Sequence, residues 1–203
     1  MGSLKSQLQG RTWQRDGYLI STDPGLISIP RLISIFASDE VYWTSPLPEP
    51  CMREMVESSL CFGLYSKQQQ QPNSPSPSSS NQQQPEPKSS PGPPAHLSLL
   101  VGFARCVTDF TSFLYVTDVW VEPSLQGRGL GGWLVGCVQE VIESMPYLRR
   151  SMLLTGDWER SVPFYERLMG MELMKSRKGE GLAVMERKGP GHPSYRREGS
   201  GYN

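Results

Sequence analysis

Several things are scarce in this chain, and each scarcity removes a class of function. No apolar run approaches the ~18 residues of a membrane span, so no transmembrane helix is expected. The 20 Lys and Arg residues are matched by 20 Asp and Glu. No charge excess is left to draw nucleic acid or an anionic membrane surface, and partners must be argued from a local site. Histidine is limited to His96 and His192, and Cys51, Cys61, Cys106 and Cys137 form no CxxC pair. A metal centre is therefore not expected, and the thiols read as reduced and mostly buried. The opening MGSLKSQLQGR lacks the apolar stretch of a secretory signal. That predicts a cytoplasmic protein, with a nuclear location left open. No GxxxxGK[ST] occurs either, so a nucleoside triphosphate loop is not supported.

What the chain does have is one substantial domain's worth of apolar residues, 37% of 203, with two segments set apart by composition. Residues 67–95 are built of Gln, Ser and Pro with no large apolar side chain, and 189–203 form a Gly-rich tail. Neither buries enough surface to offset its ordering entropy, so both are expected to be disordered. The domain is then expected over residues 12–188, with 67–95 as an insertion. SLCFGLYS and HLSLLVGFARCV, which flank that insertion, read as the two arms of a hairpin. A hairpin tolerates a long loop because closure cost grows only logarithmically with length.

The remainder alternates between strand and helix signals. TWQRDGYLIST reads as a strand, and PRLISIFAS as a short helix with Pro30 in its first turn. EPCMREMVESS is a second helix, with Cys51, Met52, Met55 and Val56 on one side. FLYVTDVWV is a strand whose alternation puts Tyr115, Thr117, Val119 and Val121 on one face and Val116, Asp118 and Trp120 on the other. Apolar residues from Leu130 to Met145 then repeat at helical spacing until Pro146. RSMLLT is a strand and SVPFYERLM a helix, and MELMK with GLAVMERK is expected to close the fold as a hairpin around KGEG. The order predicts a single mixed α/β (α+β) domain, with a mostly antiparallel sheet flanked by helices.

The densest chemical signal is VEPSLQGRGLGG, where a strand ends and a helix begins. Backbone N–H groups there lack intrahelical partners and face outward at the positive end of the helix dipole, which suits an anion, most often a phosphate. Gly127, Gly129, Gly131 and Gly132 let a ligand approach the backbone, and Arg128 adds a cation. GRGLGG also satisfies the dinucleotide pattern GxGxxG, with Asp157 placed near where its ribose acid would stand. However, that pattern opens a series of βαβ units, whereas here about three strands come before it.

The stretch from Val121 through Gln126, Gly127, Arg128, Gly129, Leu130 and Gly131 resembles the [QR]xxGx[GA] signature of the GNAT acyltransferase superfamily. The element order over roughly residues 12–188 is similar to that fold, and FYERLMGM resembles the superfamily's FYEKLGF segment. The resemblance implies acetyl-CoA as co-substrate, with its pyrophosphate on the amides from Gly127 to Gly132. It also implies pantetheine paired along the backbone of Val119 and Val121, and Ser161 and Tyr165 close to the cofactor. Tyr165 matches the tyrosine that serves many members as general acid toward the leaving thiolate, although Met169 displaces the usual glycine after it.

Asp118 is the candidate base or amine anchor, since an acid among apolar neighbours loses solvation; the alternative is a structural acid bonded to a loop amide or an arginine. Similar diamine-acetylating members carry a second acid where this chain has Thr117, and aryl-alkylamine members carry imidazoles at the positions of Tyr115 and Thr117. Tyr42 and Trp43, in the segment joining the two short helices, are candidates for the acceptor wall. Asp157 either caps the following helix or lines the acceptor pocket. The region from Gly102 to Gly131 also resembles small GNAT proteins that include plant arylalkylamine acetyltransferases. The resulting expectation is direct acetyl transfer to the primary amine of a small molecule, arylalkylamine-like or polyamine-like, by a monomer or homodimer. A protein lysine or N-terminal acetyltransferase, a CoA-binding module without turnover, and an NAD-dependent oxidoreductase are the other readings.

Overall fold

A computed structural model describes residues 3–66, 99–174 and nine positions between 176 and 189. The expected insertion and tail lie outside these described residues, except for Gly189. The chain begins with a helix the sequence reading did not anticipate, α1 (Leu4–Leu8), which is capped where Ser3 Oγ accepts from the Ser6 N–H and buries Leu8. The segment read as one strand is two, β1 (Thr12–Arg15) and β2 (Tyr18–Ser21), paired antiparallel. The chain reverses at Asp16 and Gly17, whose φ values of 46° and 81° are those of a tight primed hairpin turn. Asp-Gly is the residue pair that such a turn favours.

Helices α2 (Ile29–Phe36) and α3 (Glu49–Ser58) follow, α2 with Ser28 as its cap and Pro30 in its first turn. On α3 the expected inward side is only partly right. Met52 and Val56 are buried, whereas Cys51 is exposed. Strands β3 (Leu60–Ser66) and β4 (Leu100–Thr108) pair antiparallel, so the segment between them does join two hairpin arms. Next come β5 (Phe113–Val121), α4 (Leu130–Glu143), β6 (Arg150–Met152) and α5 (Ser161–Met169).

The six strands form one sheet in chain order, antiparallel except for the parallel pair β5–β6. One face is covered by α4 and α5, whose Leu130, Leu134, Val138, Val141 and Met169 pack with Phe62, Ala104 and Val116. The other is covered by α2 and α3, where Leu32, Phe36, Met52 and Val56 meet Phe103 and Trp120. The C-terminal hairpin is shorter than expected. Among the described residues there, only β7 (Ser176–Arg177) and β8 (Glu180–Gly181) pair, as a separate two-stranded sheet. Leu173, Met174, Val184 and Met185, which were expected to form strand faces, are exposed.

Leu134 has no exposed surface at the centre of α4. Leu134→Ala is expected to lower unfolding stability by about 2–5 kcal/mol, read as a shift in the urea midpoint with an unchanged slope.

Candidate active site

Strand β5 departs from simple alternation. Arg105 of β4 faces Thr117 and Phe103 faces Trp120, so Asp118 and Val119 together oppose Ala104. This is a β-bulge. Asp118 sits at φ 52°, a left-handed conformation that aspartate tolerates better than most residues. The extra residue reverses which side chains face which layer. Leu114 and Val116 pack toward α4 before it and Val119 and Val121 after it, while Trp120 packs toward α2 and α3. Tyr115 and Thr117 therefore do not share a face with Val119 and Val121, contrary to the alternation read from sequence.

On its other edge β5 pairs with β6 only at Phe113, Leu114 and Tyr115. Past those pairs the strands part, and a cleft of about 580 Å³ opens between them. Its walls are Val116–Val119 from β5, Leu153–Gly156 beyond β6, Ser161 and Tyr165 from α5, and Tyr42 and Trp43 from the loop between α2 and α3. Seven residues singled out from sequence thus meet in one cleft: Tyr42, Trp43, Thr117, Asp118, Val119, Ser161 and Tyr165. A second cavity of about 540 Å³ also touches Tyr165, but the side chains around it are mainly apolar, among them Met152, Val162, Met169 and Leu173.

The Asp118 side chain keeps 6% of its surface exposed, and both of its oxygens are engaged. Arg105 Nε donates to Oδ2 at 2.6 Å, and Trp43 Nε1 and Thr117 Oγ1 donate to Oδ1 at 3.3 and 3.4 Å. An arginine is thus paired with Asp118, one of the partners expected if the acid is structural. Arg105, which also donates through Nη1 to Ser59 Oγ at 3.4 Å, escaped the sequence reading. Burial raises the Tyr165 hydroxyl from its ordinary value to about 12, so this group is a neutral donor throughout the physiological range. Its ring meets Phe164 edge-on at 5.1 Å. Packing in the core and lining the cleft are therefore both true of Tyr165. Asp157 does not line the cleft. Its Oδ1 accepts from the Arg160 N–H at 2.9 Å and its carbonyl from the Ser161 N–H, at the entrance to α5.

The glycine corner lies just beyond Val121, whose carbonyl accepts from Gln126 Nε2 at 3.1 Å. Gly127 and Gly129 adopt φ 78° and 75°, and Gly129 is the N-cap of α4. The first bond into the helix runs from the Trp133 N–H to the Gly129 carbonyl. The amides of Leu130, Gly131 and Gly132 therefore have no partner within the helix. A Cβ on Gly127 would meet nothing within 4 Å, so internal packing does not explain that glycine. The Leu130 side chain is buried, leaving only its amide for a ligand, and Arg128 is exposed. A second guanidinium, unmarked in the sequence, stands nearby. Arg15 Nη2 lies 3.5 Å from where a Gly129 Cβ would be, and its guanidinium is 5.8 Å from the Trp133 ring centroid. An open strand edge leading to a ring of unpaired amides flanked by cations suits an extended ligand with a diphosphate at one end. Gly129→Ala is expected to lose about 1–2 kcal/mol of stability in urea unfolding from its left-handed backbone alone.

The model of the acetyltransferase (GNAT) family matches residues 64–171. A Gibberella zeae protein named as an acetyltransferase is 32% identical over 186 residues, which cover 89% of this chain and 94% of that protein. A solved structure from Xanthomonas campestris pv. campestris, assigned to GNAT acetyltransferases, is 25% identical with a TM-score of 0.58, covering 88% of this chain and 97% of that one. A Deinococcus radiodurans structure at 16% identity and TM-score 0.51 shares the fold. With a six-stranded sheet that parts at β5 and a glycine corner at the start of α4, the chain belongs to the GNAT family of acetyltransferases.

Proposed function

We propose that this acetyltransferase moves the acetyl group of acetyl-CoA directly to the primary amine of a small acceptor with an aromatic part. One observation carries the reading: the cleft beside the glycine corner brings an aromatic wall, Tyr42 and Trp43, together with a half-buried phenol, Tyr165. Acetyl-CoA suits this chain's own features. Its pyrophosphate would sit on the amides from Gly127 to Gly132 with Arg128 and Arg15 beside it, and its pantetheine along the edge of β5 at Val119 and Val121 that β6 leaves uncovered.

The described lining favours an arylalkylamine over a polyamine. Asp118 is the only carboxylate along it and is already paired with Arg105, so no second acid remains for a further ammonium group. Direct transfer is favoured over an acyl-enzyme because burial pushes the Cys61 and Cys137 thiols up to about 12 and Cys106 further up, leaving almost no thiolate at neutral pH. In the reaction the amine, having lost its proton to water, attacks the acetyl carbonyl. The C–N bond forms, the C–S bond breaks and Tyr165 gives its proton to the departing sulfur, while the proton that the nitrogen sheds on becoming an amide passes through water and restores the phenol.

Thermal unfolding with acetyl-CoA, CoA and NADH tests the ligand, since a ligand at about 100 times its Kd stabilises the fold by about 2.7 kcal/mol. Both CoA species should raise the midpoint and NADH should not; a rise with NADH alone would overturn the reading. Thiol release should then be faster with phenethylamine or tryptamine than with spermidine or a lysine peptide, and the reverse order would move the assignment to polyamine or protein acetylation. Tyr165→Phe should lower kcat by about 100-fold or more while acetyl-CoA affinity changes little. No loss of activity assignable to Tyr165 ionisation is expected between pH 7 and 10, because its hydroxyl is held at about 12.

A further inference from the structure

The loop between α2 and α3 carries Tyr42 and Trp43 to the cleft; Val41 is buried in the α2–α3 core with Trp43 packed against it, and the loop's backbone hydrogen bonds are local. The Val41 N–H donates to the Ser38 carbonyl and Thr44 Oγ1 to the Ser45 carbonyl. Its hydrogen bond to the sheet is the one from Trp43 Nε1 to Asp118 Oδ1 at 3.3 Å. Tyr42 is 66% exposed and leans edge-on against Trp43 at 5.3 Å, so the position of the outer ring follows that of the inner one. Asp118 is in turn fixed from behind, because Arg105 holds Oδ2 and is itself held to Ser59 Oγ. These four side chains form a chain of polar contacts from the end of α3, across β4 and the β5 bulge, to the aromatic wall.

Accepting that the cleft performs the acetyl transfer proposed above, we propose that Asp118 is a positioning residue for the acceptor wall and not the base. The Arg105–Asp118 pair clasps the Trp43 indole in the orientation that receives the acceptor's apolar part. Three features support this over proton transfer. Both carboxylate oxygens already accept hydrogen bonds. Taking up a proton at Oδ2 would break the pairing with Arg105 and strand a partly buried guanidinium. The bulge, with Asp118 at φ 52°, turns the carboxylate toward Trp43 on the α2–α3 side, where plain alternation would put the next residue on the opposite face.

The clasp predicts coupling between residues distant in sequence. In spectra of protein with ¹⁵N-labelled tryptophan, the Trp43 indole resonance, identified by its loss in Trp43→Phe, should exchange slowly with solvent. In Asp118→Asn it should shift and exchange more than about tenfold faster. This readout needs no turnover and stands even if the acceptor chemistry proves different. With a turned-over amine, Trp43→Phe and Asp118→Asn should each raise acceptor KM about tenfold, with a smaller loss in kcat, little change in acetyl-CoA KM and the pH profile of the parent. The double variant should be no worse than the poorer single one. The proposal is overturned if the Trp43 resonance is insensitive to Asp118→Asn, if the two effects multiply, or if Asp118→Asn instead cuts kcat about 100-fold and removes the acid limb of the pH profile. Should Asp118→Asn fail to fold, Trp43→Phe is read in its place, since it removes the indole donor together with part of the ring; unchanged acceptor KM in that variant sinks the clasp.

Discussion

Strand β5 is paired along its length with β4 but with β6 over only three residues, and the cleft, the corner and the tyrosine all depend on that difference. A parallel neighbour that continued would consume the amides and carbonyls of Thr117 to Val121 and leave no room for a ligand. Because β6 ends at Met152 and the chain bends away through Leu153–Gly156, a sheet edge is opened inside the molecule, covered by α5 on one side and by the Tyr42–Trp43 loop on the other. An unpaired edge on a surface invites aggregation. Here it is confined to a cleft that an extended molecule can fill.

The bulge is the second constraint. It costs β5 an ordinary ladder position and holds a non-glycine residue at positive φ, a conformation that persists only when its surroundings over-determine it. What surrounds Asp118 is an arginine, an indole and a hydroxyl, all donating to it. Had the bulge been absent, Val119 and Val121 would face the α2–α3 layer and their packing against α4 would be lost. A single extra residue therefore both seats the end of β5 beside the helix that carries the glycine corner and points a charge at the acceptor wall.

Much of this could be read in advance, and the limits follow from the reach of the signals. Helices α4 and α5 and strands β3, β4 and β5 announce themselves by local periodicity, and the glycine corner by composition. The Asp16–Gly17 turn was also legible, since its residue pair marks a hairpin, but the four residues before it, TWQR, carry too little apolar alternation to stand out as a strand of their own. The bulge was not, because a period-two pattern with one inserted residue still reads as a strand, and only the partner strand reveals the slip. Nor were Arg105 and Arg15, which gain meaning from neighbours remote in sequence. The terminal alternation in MELMK and GLAVMERK predicted more strand than forms, since alternation builds a sheet only where a second surface buries its apolar face.

The electrostatics of the cleft follow from the same architecture. Burial favours whichever form of a group carries no charge, and for the phenol and the thiols that is the protonated form. It holds the Tyr165 proton in place, which is what a donor toward a leaving thiolate requires, and it makes the thiols of Cys61, Cys106 and Cys137 inert. Asp118 has its own counter-ion in Arg105, and a charge so compensated does little to attract a second cation. A cleft with a retained phenol proton, a paired acid and no cysteine in its described lining has few groups to spend on covalent intermediates. What it can supply is orientation, and for transfer between two bound molecules orientation is a large part of the barrier.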